Sequence, residues 1–255
     1  MTEEIVRSCD DGVMVLRLNR SDKRNAMTGA MYQALADALT DAEADLGIRA
    51  IVLLGTPGTF CAGNDINDFL SRSPDTPSQT VQAFLYALAR SSVPMVAGVD
   101  GDAVGIGTTM LLHCDMVLAT PRARLRLPFV NLGIVPEAGS TLLLPRIVGH
   151  ARAAELVMLG EPLGASRAVE LGLVNRLVEP DALEAETLAV ASRLAAQPPG
   201  ALRDTKRLLK GDRGALEATI AEEIRIVAKR LGSAEAREAF TAFLEKRPPD
   251  FSKLR

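Results

Sequence analysis

The first half of the chain alternates short apolar runs with glycine-rich turns and amphipathic stretches. Positions 50–54 form a continuous apolar run that ends at Gly55, which is typical of a strand buried on both faces of a parallel sheet. Apolar residues recur at helical spacing after Thr28, whose residue type suits a helix N-cap. Similar patterns predict strands at 13–18, 95–99, 115–119 and 124–127 and helices at 81–90 and 108–112. This repeated strand–turn–helix plan predicts an α/β fold with parallel strands.

After Gly139 the chain is mainly helical in pattern. Helical spacing occurs near 140–145, 150–159, 166–171, 181–196, 201–210, 214–231 and 233–246. A Gln-Pro-Pro-Gly segment at 197–200 divides the chain into a core domain, 1–196, and a C-terminal helical region, 197–255. The stripe formed by Leu216, Ile220, Ile224, Val227 and Leu231 predicts packing on the core or on a partner subunit. Residues 71–78 form a Ser/Pro-rich segment and predict a loop.

Composition narrows the classes of function. The chain has 255 residues, a net charge of −3, 47% hydrophobic residues and no Trp. A chain of this length can bury roughly 70% of its surface, and the acidic balance with few aromatic residues argues against nucleic acid as a partner. Three cysteines and two histidines without ligand spacing predict neither disulfides nor a metal site. No run of 18 apolar residues and no secretory signal occur, so we expect a cytoplasmic protein without a membrane span.

Two segments, 61–66 and 104–108, share a glycine turn placed between a buried strand and a helix. Backbone N–H groups at such a helix start have no intrahelical acceptor and can bind an anion. Two such turns brought together would form an oxyanion hole. The alternative is that both are only tight turns, because a single glycine cluster is a weak signal. Gly105 and Gly107 lack the third glycine of a dinucleotide-binding fingerprint.

Four segments together resemble the crotonase (enoyl-CoA hydratase/isomerase) superfamily across nearly the whole chain. They are 20–27 (RSDKRNAM), 60–66 (FCAGNDI), 99–107 (VDGDAVGIG) and 243–251 (FLEKRPPDF). The resemblance implies a crotonase (ClpP-like) spiral of ββα units with a helical C-terminal trimerisation region. It also implies acyl-CoA thioester substrates, a homotrimer or a dimer of trimers, and no cofactor, since coenzyme A is part of the substrate.

The same resemblance implies the binding residues. The N–H groups of Asn64 and Ile106 would hold the thioester oxygen. Lys246 and Arg247 would approach coenzyme A from a neighbouring subunit, although solvated surface charge is an equal alternative for each basic residue. The substrate-binding positions implied are Lys23, Arg24, Ala26, Ala62, Gly63, Asn64, Asp65, Ile66, Gly105, Phe129 and Lys246.

The residues at the catalytic positions distinguish hydratases from isomerases within this superfamily. The two glutamates of hydratases correspond to Thr109 and Phe129, and neither side chain can ionise near neutral pH. Glu137 instead follows Pro136, a pairing that resembles the peroxisomal-type 3-enoyl-CoA/2-enoyl-CoA isomerases. The alternative for Glu137 is an ordinary first-turn glutamate stabilised by the helix dipole. An apolar lining would raise its pKa and the following helix N-terminus would lower it, so the sequence leaves the direction open.

These observations predict an isomerase that moves a double bond from C3–C4 to C2–C3, with Glu137 carrying the proton. The alternatives are an enoyl-CoA hydratase or another crotonase-type reaction, and a coenzyme A-binding relative without catalysis. The sequence leaves the acyl chain length, the double-bond geometry and the choice between trimer and hexamer open.

Overall fold

A computed structural model of the chain describes residues 4–66, 78–252 and 254. Its strands form two sheets, one ordered β1-β2-β3-β5-β7-β10 and the other β4-β6-β8-β9. Pairing is parallel except between β1 and β2 and between β8 and β9. The strands are β1 (Ile5–Asp10), β2 (Val13–Leu18), β3 (Ala50–Leu54), β4 (Thr59–Cys61), β5 (Met95–Val99), β6 (Asp102–Val104), β7 (Met116–Ala119), β8 (Arg124–Arg126), β9 (Leu163–Gly164) and β10 (Arg176–Leu177).

Helices cover both faces of the larger sheet and extend to the C-terminal region. The described α-helices are α1 (Gly29–Ala44), α2 (Gln79–Arg90), α3 (Ile106–Thr109), α4 (Ser140–Val148), α5 (His150–Leu159), α6 (Ala165–Glu170), α7 (Leu183–Ala195), α8 (Pro199–Lys210), α9 (Arg213–Leu231) and α10 (Ala234–Leu244). Short 3₁₀ turns lie at Ser21–Lys23, Met110–His113, Val130–Leu132 and Pro180–Ala182.

Consecutive strands pass from the larger sheet to the smaller one. The pairs β3 and β4, β5 and β6, and β7 and β8 each place one strand in each sheet. The chain is therefore a series of ββα units, as the resemblance implies. Because β4, β6 and β8 are neighbouring parallel strands, their carboxyl ends lie side by side. The segments that follow them, near residues 62–66, 105–107 and 127–137, therefore converge at one edge of the smaller sheet.

Burial on both sheet faces explains the continuous apolar run at 50–54. All five residues of β3 and all five of β5 are buried. One face of the larger sheet contributes to the main core with α1 and α2, and the other packs on α7 through Leu183, Val190 and Ala191. Alternating apolar and polar residues would have indicated a sheet with one face exposed to solvent. This sheet has helices on both faces, so its central strands are apolar throughout.

Most predicted elements are confirmed within one or two residues, and the differences have physical causes. The Thr28 hydroxyl accepts the Met31 N–H at 3.3 Å, as expected of an N-cap. Strand β1 was not predicted because its residues are mostly polar and exposed, with only Ile5 buried. Strands β4 and β6 have three residues each, too few for a periodicity to show. The loop predicted at 71–78 lies outside the described residues, except Ser78.

The stripe on α9 packs on its own chain. Leu216 and Ile220 are buried in the main core, and Ile224 and Leu231 pack against it half-buried. Among the described residues, no helix combines the length and the hydrophobicity that a transmembrane segment requires.

Asp100, at the crossover from β5 to β6, ties three loops together. Its carboxylate accepts the Gly58 N–H at 2.6 Å and the Thr120 hydroxyl at 2.7 Å, and it pairs with Arg122 at 2.5 Å. The Arg122 guanidinium lowers the pKa of Asp100 to about 2. This charged group therefore holds the crossovers that lead into the smaller sheet.

Candidate active site

The converging segments border a cavity of about 380 Å³, called here the large cavity. Its walls come from the turns after β4, β6 and β8, from α10 and from the segment up to Phe251. Six of the residues predicted to bind substrate line it, and they are Ala62, Gly63, Asn64, Ile66, Gly105 and Phe129.

Both predicted oxyanion turns have backbone geometry that requires glycine. Gly63 has φ +92° and Gly105 has φ +56°, a region that other residues adopt only at a cost. The carbonyl of Gly63 accepts the Met27 N–H at 2.8 Å, which fixes the first turn against the segment before α1. The N–H groups of Asn64 and Ile106 have no acceptor within the described part of the chain. Asn64 lines the large cavity, and Ile106 begins α3 directly after Gly105.

The two turns pack directly against each other through Gly107. A Cβ atom at this position would lie 2.6 Å from the carbonyl oxygen of Cys61. Cys61 is fully buried, as the sequence predicts for a small core residue. The close approach of the two backbones therefore depends on the missing side chain of Gly107.

Glu137 lies in a second, smaller cavity of about 60 Å³, called here the small cavity. Asn64, Phe129 and Ile134 line both cavities, so the small cavity adjoins the large one at the first oxyanion turn. Its remaining walls are mainly apolar and come from α2 and α9, with Leu85 and Val227 among them. Glu137 is the sole acidic side chain among the described residues that line either cavity.

One carboxylate oxygen of Glu137 is held and the other has no partner. The Thr109 hydroxyl donates to Oε1 at 2.5 Å. Oε2 is buried and has no hydrogen-bond partner among the residues described. Thr109 therefore orients the carboxylate of Glu137 and leaves one of its oxygens for a ligand. The resemblance places a hydratase glutamate at the position of Thr109.

The structure gives the direction of the Glu137 pKa that the sequence left open. Burial raises the pKa to about 8, the hydrogen bond from Thr109 lowers it, and the charge of Glu223 raises it. The N–H groups of Gly139 and Thr141 at the start of helix α4 donate to Glu223 and not to the Glu137 carboxylate. A base with a pKa near neutral pH is suited to taking a proton and returning it.

Three side chains that support the site were not predicted. They are Thr109 as a partner of Glu137, Glu223 at the start of α4, and Tyr32, whose hydroxyl donates to Asn64 Oδ1 at 2.7 Å. Glu223 had a signal in the sequence, because it interrupts the apolar stripe between Ile220 and Val227 on the same helical face. No pattern in the sequence indicated the role of Tyr32, because its partner Asn64 lies 32 residues away.

Several predicted binding residues are not among those that line the two cavities. Asp65 pairs with Arg20 at 2.7 Å, and the Arg24 carbonyl accepts the Ala62 N–H. Arg247 lines the large cavity of its own chain, where the resemblance implies an approach from a neighbouring subunit. The predicted residues that line neither cavity are Lys23, Arg24, Ala26, Asp65, Ile106 and Lys246.

His113 supports the turn after Glu137 as an uncharged side chain. Its Nε2 donates to the Ala138 carbonyl at 2.7 Å, since a carbonyl oxygen can only accept. Burial lowers the pKa of His113 to about 3, so the ring carries no charge at neutral pH. Within residues 4–66, 78–252 and 254, no three His, Cys, Asp or Glu side chains are placed to share a metal ion.

Comparison with known proteins agrees with this architecture. Residues 8–254 match the family model described as enoyl-CoA hydratase/isomerase. The chain is 35% identical to 1,2-epoxyphenylacetyl-CoA isomerase of Escherichia coli (strain K12), covering 99% of each chain. It is 34% identical to 2,3-dehydroadipyl-CoA hydratase of the same organism, covering 97% of this chain and 98% of that one. A solved enoyl-CoA hydratase/isomerase from Pseudoalteromonas atlantica T6c matches with a TM-score of 0.93 and 43% identity, covering 98% of this chain and 100% of that one.

Proposed function

Because the chain belongs to the enoyl-CoA hydratase/isomerase family, we propose that it isomerises 3-enoyl-CoA thioesters to trans-2-enoyl-CoA with Glu137 as the proton carrier. The observation that carries this proposal is the solitary buried carboxylate beside the first oxyanion turn. Similarity to the peroxisomal-type isomerases at Pro136 and Glu137 supports the same choice.

The proposed reaction has two proton transfers. The Glu137 carboxylate takes a proton from C2, and the electron pair of that C–H bond moves into the thioester to give a dienolate. The Glu137 acid then returns the proton to C4, and the double bond comes to lie between C2 and C3. One carboxyl group suffices, because C2 and C4 are both reached from one side of the extended acyl chain. No cofactor is required.

The two backbone N–H groups of Asn64 and Ile106 are proposed to stabilise the negative charge on the thioester oxygen. A donor of this kind contributes about 10²–10³-fold to the rate of such reactions. The apolar walls of the small cavity exclude water from the dienolate, which favours return of the proton over addition of water.

Hydration is the competing reaction that the site supports less well. Adding water to a 2-enoyl thioester needs one group to activate the water and another to protonate C2. Thr109 and Phe129 cannot do this at the positions where hydratases have glutamates, and Glu137 has no second carboxylate beside it in the cavity lining.

A deuterium-transfer experiment tests the proposal. Purified protein is given 3-enoyl-CoA deuterated at C2, and the product is analysed by mass spectrometry and NMR. With Glu137 as the single carrier, part of the deuterium appears at C4 of trans-2-enoyl-CoA. If the deuterium removed from C2 appears only in solvent and none reaches C4, and a 2-enoyl-CoA is rapidly hydrated, this mechanism is excluded.

The Glu137→Gln variant tests the residue. It keeps the size and the Thr109 contact but removes the base, so we expect kcat to fall by roughly 10³-fold or more. Glu222→Gln is a matched control, because Glu222 is an exposed glutamate paired with Arg225 on α9. Near-wild-type turnover by Glu137→Gln would show that another group is the base.

A further inference from the structure

Glu223 reaches from α9 to the start of α4, next to Glu137. Its Oε2 accepts the Gly139 N–H at 2.6 Å, and its Oε1 accepts the Thr141 N–H at 3.0 Å and the Thr141 hydroxyl at 2.6 Å. Glu223 is 4% exposed. A residue 84 positions further along the chain therefore completes the hydrogen bonding at the start of this helix.

These contacts replace a local helix cap. The N-cap residue of α4 is Gly139, which has no side chain to accept the first N–H groups. The turn before it is strained at Ala138, which has φ +61°, because a residue with a Cβ adopts this region only at a cost in free energy. Gly139 also allows Leu216 of α9 to approach, because an added Cβ would lie 2.3 Å from its Cδ1 atom.

The carboxylate of Glu223 is buried without an ion pair. No Lys or Arg of the described chain forms a salt bridge with it, and its partners are N–H and hydroxyl donors. The ionisable groups that face Glu137 are Glu223 from α9, Cys61 from β4 and Tyr32 from α1, while His113 bonds the next carbonyl in its neutral form. Among them, Glu223 is the one that opposes ionisation of Glu137 by its charge.

We propose that Glu223 is a positioning residue for the reaction, because its three hydrogen bonds to Gly139 and Thr141 fix the turn that follows Glu137. The inference rests on the proposed role of Glu137. Glu223 itself lines neither cavity, so it acts through Glu137 and not on the substrate.

Two variants separate the charge from the mechanical support. Glu223→Gln removes the negative charge and weakens the hydrogen-bond acceptor. We expect kcat to fall about tenfold and KM to change little. Without that charge the pKa of Glu137 falls, so the rising limb of the kcat/KM pH profile moves to lower pH by roughly half a unit. Thr141→Val removes one donor and keeps the charge, so kcat falls several-fold while the limb stays in place. Glu222→Gln, one position away on the exposed side, should change neither.

Direct titration of Glu137 distinguishes failure of this inference from failure of the proposed function. The carboxyl carbon of Glu137 is followed by ¹³C NMR in glutamate-labelled protein, with Glu137→Gln giving the assignment. A lower pKa of Glu137 in Glu223→Gln supports the coupling of the two carboxylates. Retained turnover by Glu137→Gln would refute the proposed function, and with it any role of Glu223 in the reaction, but not that coupling. Unchanged titration and unchanged kcat in Glu223→Gln would overturn the inference. If Glu223→Gln does not fold, the Thr141→Val kcat decides, and a wild-type value would be the overturning result.

Discussion

At the scale of single residues, the burial that suits Glu137 to proton transfer also acts against folding. Its pKa is about 8 in the folded chain, compared with about 4.5 in an unfolded one. Between these values the folded state holds a proton that the unfolded state releases, so this residue lowers the free energy of unfolding as pH rises. Above pH 8 the burial penalty of the charged carboxylate is complete.

Replacing Glu137 by Gln should therefore stabilise the protein in a pH-dependent way. The free energy of unfolding of Glu137→Gln, minus that of the wild type, should grow between pH 4.5 and pH 8 by about 3–5 kcal/mol. Urea denaturation at pH 5 and at pH 8.5 measures it. Taking the difference cancels His113, Lys210 and the other groups that titrate in both proteins. A difference that stays constant over this range would contradict the burial of an ionisable carboxylate here.

The sequence singled out Glu137 as a candidate and missed the residues around it, and one reason explains both. Glu137 stands in a motif whose residues are adjacent in the chain, so the resemblance could identify it. The residues that support Glu137 are distant in sequence: Thr109, 28 residues earlier, donates to its carboxylate, and Glu223 on α9 accepts the Gly139 N–H of the turn that follows it. Such contacts depend on how α3, α4 and α9 pack together, which no local pattern encodes.

At the scale of elements, the oxyanion turns depend on how closely β4 and α3 approach each other. Gly107→Ala would place a methyl group 2.6 Å from the Cys61 carbonyl oxygen, and backbone cannot yield as a flexible side chain can. We expect the turns to separate and kcat to fall by about 10²-fold, while the chain still folds.

Gly200→Ala is the matched control for that substitution. Gly200 lies in α8, and an added Cβ there would meet nothing within 4 Å. Its turnover should equal that of the wild type, with slightly higher helix stability. Steady-state kinetics with 3-enoyl-CoA compare the two variants, and equal turnover by Gly107→Ala would show that the spacing of the turns does not limit the reaction.

Sequence patterns predicted the long elements well and the short ones poorly. Strands β3 and β5 have continuous apolar runs because both of their faces are covered. Strands β4 and β6 lie inside glycine-rich segments and appeared in the sequence as turns. These short strands bring the two predicted oxyanion segments together. The strands that position the site are therefore the ones that hydrophobic periodicity in the sequence is least able to reveal.

At the scale of the whole molecule, several helices leave large apolar side chains exposed. Met158 and Leu159 end α5, and Leu208 and Leu209 end α8, each more than half exposed. Adjacent exposed apolar side chains such as these would be covered if another chain packed on these helix ends. With the resemblance, they support the proposal of a homotrimer or a dimer of trimers.

Sedimentation velocity at micromolar concentration tests the assembly. We expect a species of three or six times the chain mass of 27.1 kDa. A monomer with full turnover would contradict the proposal, and the same measurement on Glu137→Gln would show whether the assembly is independent of catalysis.

The large cavity joins distant parts of the chain, since Asn64 on one wall faces Phe243 and Phe251 on another. The ribosome makes these walls at very different times. A nascent chain exposes its first oxyanion turn while the opposing aromatic residues are still untranslated. The cavity therefore has all of its walls only after residue 251 has been synthesised, and no ligand that needs both walls can bind before then.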